Sequence, residues 1–223
     1  GPITLADLLT GETYDARLET DGWLRSGFDD AAWAKAVPAE EEVTAELVAE
    51  PDGPCRVIQE LKARKITEPR PGVFVFDLGQ NMVGTARLRV TGRAGTTVRL
   101  RHAEVLNPDG TVYTTNLRTA AATDHYTLKG GGRETYEPRF TFHGFRYVEV
   151  TGYPGKPPLD AVVGRVIHTD APLTMEFETN LPMLNQLHSN ITWGLRGNFL
   201  SIPTDTPAAC ATSLIVAIPQ PLS

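Results

Sequence analysis

The chain has 223 residues, 41% of them apolar and 22% charged, with a formal charge of −6. That length buries a real core and suits one or two domains, while the acidic balance argues against a broad basic surface for nucleic acid or an anionic membrane. The most apolar stretch, "SLIVAIPQPL", is too short and too broken by Pro219 and Pro221 to span a bilayer.

The first 70 residues are irregular. "FDDAAWAKA" reads as one helical turn capped by Asp29 or Asp30, with Trp33 packed inward. "AEEEVTAE" reads as a solvated charge run, and "EPDGP" and "TEPRPG" as linkers. From Val73 to Asp170 the pattern has a period of two. Runs such as "VFVFDLG", "TARLRVTG" and "TFHGFRYVEVTGY" are separated by the turn formers "GRAG", "NPDG", "KGGG" and "YPGKPP". In "TARLRV", Ala86, Leu88 and Val90 point one way and Arg87 and Arg89 the other, which marks a half-buried antiparallel strand. Beyond Thr179 the period becomes helical. Thr179 or Asn180 serves as cap, Pro182 suits the first turn, and Leu184, Leu187, Ile191 and Leu195 fall on one face through to about Leu200. The predicted class is all-β: an antiparallel, jelly-roll-like β-sandwich with a short α-helical C-terminal segment. The expected division is 1–70, 71–172 and 173–223.

Sequence motifs for a self-contained active site are absent. No nucleophile elbow, H-E-x-x-H or Walker loop occurs. "KGGG" (Lys129–Gly132) is not followed by a helix and reads as a hairpin loop, and "NPDGT" (Asn107–Thr111) reads as a turn rather than a calcium loop. Cys55 and Cys210 are the only cysteines, and no Cys/His spacing resembles a zinc site, so neither metal nor cofactor is expected and a reduced cytoplasmic setting is the default. His102, His125, His143, His168 and His188 are scattered. His102 and Glu104 can share a strand face, where a structural hydrogen bond is expected, and His143 is expected to pack rather than react. Trp23 and Trp193 offer flat faces to a sugar, against a prior for core packing. Spacing singles out no carboxylate pair for glycoside hydrolysis.

"FDLGQNMVG", "RHAEVL", "ATDHYTL" and "FTFHGFRYVEV" stand in this order between Phe76 and Val150. With "GETYDARLE" and "GWLRSGFDDAAWAKAV" they resemble bacterial α-L-rhamnosidases of glycoside hydrolase family 78, over residues 11 to 207. The resemblance implies N-terminal β-sandwich domains, then a catalytic (α/α)6 barrel whose first helix is 182–200. It implies inverting hydrolysis of terminal α-L-rhamnose by a glutamic acid and a second, water-activating glutamate. In the family, Pro-Thr-Asp leads into an acidic catalytic motif. Here Asp205 matches the first Asp, which implies a substrate-binding role, and Pro207 matches the following Pro. The subsequent "AACATSLIVAIPQPLS" supplies no Arg, Asp or Glu, so no catalytic residue is assigned. The chain is therefore expected to be a truncated rhamnosidase. A frameshift would turn Arg-Asp-Glu codons into the "ATS" at Ala211–Ser213, given a small insertion.

The expected function is a carbohydrate-hydrolase accessory β-sandwich without glycosidase activity of its own. The alternatives are a stand-alone enzyme repurposed for a specialised metabolite, or a rhamnose-binding module. Partners are then rhamnosides or another small molecule, and a second copy through the exposed helix face, with no nucleic acid and no membrane. Leu214–Leu222 is expected to cover that helix face within the chain or across a dimer.

Overall fold

A computed structural model of the chain describes residues 1–38 and 45–203. Strands β1 (Ile3–Asp7) and β2 (Gly11–Asp15) open it. After them come β3 (Cys55–Lys62), β4 (Lys65–Arg70), β5 (Val73–Thr91), β6 (Thr97–Ala103), β7 (Thr123–Thr127), β8 (Arg133–Tyr136), β9 (His143–Thr151) and β10 (Val162–Thr169). Helix α1 (Pro182–Asn198) and the short pair β11 (Phe199–Leu200) and β12 (Ile202–Pro203) close the described chain.

The fold is the mostly-β sandwich that the period-two pattern predicts, and its organising element is β5. This 19-residue strand carries more apolar residues than one sheet face takes, and it bends near its middle. Its first half lies between β4 and β9, as Phe76 pairs with Ile66 on one side and with Val148 on the other. Its second half lies between β10 and β8, with Leu88 opposite Val162 and Tyr136. One layer is therefore β4-β5-β9-β6-β7-β2-β1 and the other β8-β5-β10-β3, and β5 belongs to both. Strands that switch layers do so at bends or bulges. Here the register with β9 breaks between Asp77 and Met82, where Gly79 adopts φ 78°. At Gly84 (φ 149°) a Cβ would lie 1.9 Å from the Arg165 carbonyl oxygen, so only glycine lets β10 approach.

Between the layers Phe74, Phe76, Leu88, Val90, Val98, Leu100, Val148, Val150, Val162 and Val166 form one buried cluster. Ala86, Leu88 and Val90 are buried while Arg87 and Arg89 on the other face keep partial exposure, as the alternation requires. The outward Arg87 makes a two-toothed ion pair with Glu60 on β3, at 3.0 and 2.9 Å. One pairing departs from the antiparallel expectation: β2 runs parallel to β7, with Tyr14 opposite Tyr126.

Two local expectations need correction. Ala31–Trp33 forms a single turn, in which Asp29 accepts the Ala31 N–H at 3.0 Å, but Trp33 is half-exposed rather than packed inward. The N-cap of α1 is Leu181, not Thr179 or Asn180. The Thr179 hydroxyl accepts the Leu181 N–H at 3.1 Å, and the Asn185 amide bonds back to Thr179 in both directions at 2.8 Å. The helix end is thus held by an amide four residues in rather than by a side chain at the cap. Its C-terminus comes at Asn198, after which the chain turns at Ser201 (φ 66°). Among the described residues no helix is long and apolar enough to cross a membrane.

Candidate functional site: the helix joint, a buried histidine pair and an aromatic cleft

The heptad-like leucines of α1 face away from the sandwich. Leu184, Leu187, Ile191 and Leu195 are 40–60% exposed. On the opposite side Trp193 packs against the main core and Gly197 is buried. These two line a narrow crevice with Asn81, Met82, Val83, Glu104 and Gly144, of only about 10 Å³. Glu104 accepts from the Asn81 amide at 2.9 Å, and burial pushes its carboxyl above the usual range although that hydrogen bond lowers it. Glu104 therefore does not pair with His102. Beyond the helix, the Ser201 N–H donates to Thr169 Oγ1 at 2.8 Å, tying the chain back to β10.

His102 is turned into the sandwich. It is fully buried, and its ring stacks on His143 with centroids 4.3 Å apart and meets the edge of Phe145 at 4.6 Å. His102 Nδ1 lies 3.1 Å from the Ala122 carbonyl oxygen, which can only accept, so Nδ1 carries the proton. Burial holds the His102 pKa down, to about 3, so the ring is neutral and its Nε2 offers a lone pair. That Nε2 lies 3.8 Å from Asp124 Oδ2, and neither atom has a hydrogen-bond partner among the described residues. His143 Nε2 lies 3.2 Å from Asp124 Oδ1, which also accepts the Glu12 N–H at 2.9 Å. Burial raises the Asp124 carboxyl, yet the attraction of His143 and His102 and the Glu12 N–H bring it below the usual range. Gly11 makes room for this carboxylate, since a Cβ there would lie 2.9 Å from Asp124 Oδ1 and 2.2 Å from the Thr123 carbonyl.

The third feature is a cleft of about 670 Å³ between the N-terminal segment and the loop after β8. Trp23 and Trp33 line it, with ring centroids 6.5 Å apart, together with Tyr14, Phe140, Asp21 and Arg139. Burial and the neighbouring Glu19 carboxylate raise the Tyr14 phenol to about 12.

The remaining motifs are internally satisfied. The "KGGG" loop turns the N–H groups of Lys129 and Gly130 onto Glu134, at 3.0 and 2.9 Å. In "NPDGT", Asp109 accepts the Thr111 N–H at 3.0 Å and its hydroxyl at 2.6 Å, as an ordinary turn does. Asp205 and the segment Leu214–Leu222 lie outside the described residues.

Three family models match, nearly end to end. Residues 1–59 match the alpha-L-rhamnosidase N-terminal domain, 67–168 the bacterial alpha-L-rhamnosidase concanavalin-like domain, and 172–209 the bacterial alpha-L-rhamnosidase 6 hairpin glycosidase domain. The chain belongs to the bacterial α-L-rhamnosidase family. An alpha-L-rhamnosidase of Streptomyces avermitilis is 74% identical over 208 residues, which are 93% of this chain and 20% of that protein. The crystal structure of the S. avermitilis α-L-rhamnosidase complexed with L-rhamnose superimposes with a TM-score of 0.91 at 73% identity, covering 94% of this chain and 20% of that one. The α-L-rhamnosidase structure from Dictyoglomus thermophilum gives 0.90 at 46% identity, over 94% and 24% of the two chains. The chain thus spans about one fifth of the length of these rhamnosidases and matches their N-terminal part. Sequence reasoning missed the His102–Asp124–His143 grouping, because its members come from β6, β7 and β9 and meet only through strand register.

Proposed function

We propose that this chain is the β-sheet platform and helical entry of a rhamnosidase, and that it does not hydrolyse rhamnosides by itself. The observation that carries this reading is the two-faced packing of α1: Trp193 and Gly197 anchor it to the sandwich while four aliphatic side chains point outward. A helix that presents such a stripe is built to receive further helices, which is what the match of residues 172–209 to a glycosidase domain supports. Inverting glycoside hydrolysis needs two carboxylates about 6.5–9.5 Å apart across the scissile bond, and the sequence after Asp205 contains no acidic residue. Division of the chain at 1–70, 71–172 and 173–223, a role for Asp205 in substrate binding, and a cytoplasmic setting belong to the same reading. The last is supported by Cys55, an exposed free thiol. Incubating the purified chain with an aryl α-L-rhamnoside tests the central claim. No release above the buffer blank is expected, and sustained turnover would sink it.

A second reading, a rhamnose-binding module, is favoured by the Trp23–Trp33 cleft. Two aromatic faces beside a carboxylate and a guanidinium are the furniture of a sugar site. Calorimetry with millimolar L-rhamnose tests it: heat lost in Trp23→Ala supports the module, and no heat disposes of it. A repurposed enzyme would place its pocket beside α1, where the crevice is far too small for a metabolite.

A further inference from the structure

We propose that Glu12, itself sealed from solvent, is the positioning residue of the aromatic cleft: its carboxylate fixes the wall carrying Arg139 and Phe140 and so sets the affinity of the cleft. The proposal rests on the reading of that cleft as a rhamnose-binding module. The wall is the loop between β8 and β9, which brings Arg139 and Phe140 to the same cleft as Trp23 and Trp33. Both side chains stand on the surface, and Phe140 is 67% exposed. A ring that exposed gains little from burial, so its place has to be fixed through its backbone.

Glu12 supplies that anchor. It lies on β2 with no exposed surface, and its Oε2 accepts the N–H of Arg139 at 2.9 Å and that of Phe140 at 3.2 Å. Its Oε1 accepts the Tyr136 hydroxyl at 3.1 Å. Both oxygens of the buried group therefore have donors. Bonds from N–H groups to a carboxylate are about twice as strong as those to a neutral acceptor. Two successive N–H groups turned onto one oxygen also fix the direction of the backbone at both residues. The anchor is held in turn, because the Glu12 N–H donates to Asp124 Oδ1 at 2.9 Å. A further tie is the Thr141 hydroxyl, which donates to the Asp7 carbonyl oxygen at 3.1 Å.

The same carboxylate reaches another part of the lining. The Tyr136 ring that it orients packs on Tyr14 with centroids 5.6 Å apart. Tyr14 lines the cleft and lies two residues from Glu12, on the same face of β2. Arg139 makes this positioning matter for binding. Its guanidinium makes no hydrogen bond or ion pair among the described residues, which leaves its donors to a hydroxylated ligand. A binding group of this kind has to be held to about 0.5 Å by the residues behind it.

The full chain is titrated with L-rhamnose in a calorimeter beside Glu12→Leu, Glu12→Gln and Phe140→Ala, and amide exchange is followed by NMR. Glu12→Leu removes both acceptors and should weaken rhamnose binding by about tenfold or more. Glu12→Gln keeps one carbonyl oxygen for the two N–H groups and should hold the affinity to within about threefold. Phe140→Ala should weaken binding with the melting temperature unchanged, because so exposed a ring contributes little to stability. In the unaltered chain the Arg139 and Phe140 amides should exchange about 100-fold more slowly than in Glu12→Leu. Should Glu12→Leu fail to fold, protection of these two amides in the unaltered chain and the affinity of Phe140→Ala decide the question. A folded Glu12→Leu that binds rhamnose as tightly as the unaltered chain overturns the proposal. So does a Phe140→Ala variant of undiminished affinity, or fast exchange of both amides in the unaltered chain. No heat with the unaltered chain removes the module reading itself. In that case amides protected in the unaltered chain and fast in Glu12→Leu still uphold the hold of Glu12 on the wall, and unprotected ones overturn it.

Discussion

Arg146 on β9 grips Asp77 on β5 through two hydrogen bonds, Nε to Oδ1 at 2.8 Å and Nη2 to Oδ2 at 3.0 Å. Asp77 Oδ1 also accepts the Gly79 N–H at 2.7 Å, so the same carboxylate holds the neighbouring strand and the bend of its own. Both side chains are about one-fifth exposed. A pair this well formed and largely shielded is worth more than a surface ion pair and less than a fully buried one. Arg146→Met should therefore lower stability by about 1–3 kcal/mol, measured by urea unfolding near pH 7.

The pair also gives a pH signature. Burial raises the Asp77 carboxyl, but the Arg146 hydrogen bonds, the Gly79 N–H and the nearby guanidinium charges outweigh it, so its pKa lies below the ordinary value. A depressed carboxylate stabilises the fold fully above the unfolded pKa of about 4, and that contribution is lost as pH falls through the lower folded value. Asp77→Asn should thus cost stability near pH 7 and converge with the unaltered chain in the acid limb. Urea midpoints at a series of pH values check this, and a constant difference down to about pH 2 would contradict it.

Gly84 should tolerate no side chain. Its φ of 149° disfavours any L-residue, and a Cβ would collide with the Arg165 carbonyl that β10 presents. Gly84→Val is expected to cost more than about 4 kcal/mol and to leave little folded protein. Circular dichroism of the purified variant checks it.

Phe76 fills the centre of the sandwich with no exposed surface. Phe76→Ala removes a ring from between the layers and should destabilise by about 3–5 kcal/mol. Leu187→Gln with Ile191→Gln, on the exposed stripe of α1, should instead leave stability within about 0.5 kcal/mol. That double variant should sharpen the monodispersity of the chain in sedimentation velocity if a second copy covers the stripe, and an unchanged distribution would speak against the dimer.

The parts of this structure legible in the sequence are those set by local period. Ala86, Leu88 and Val90 announce an inward strand face because side chains alternate whatever the strand's neighbours are. Pro182 and the i, i+3, i+4 leucines likewise announce α1. That the stripe of this helix stays exposed follows from the resemblance, which places further helices beyond α1, whereas the period alone does not say that Trp193 and Gly197 take the sandwich side. Trp33 departs from the expected inward packing: size and apolarity favour the core for a large ring, yet it stands beside Phe28 and Trp23 on a cleft wall. The histidine pair was hidden by distance along the chain. His102 and Asp124 face inward together only because Leu100 on β6 pairs with Asp124 on β7 while His102 pairs with Val148 on β9.

The strand shared by the two layers has a consequence for how the protein comes apart. Neither layer is closed without β5, since one loses its link to β4 and β9 and the other its link to β10 and β8. The amides on both faces must therefore await one and the same opening before they exchange with deuterium, and the sandwich behaves as a single cooperative unit rather than two. Only the marginal strands, β1 and β4 in one layer and β3 and β8 in the other, are free to fray ahead of it.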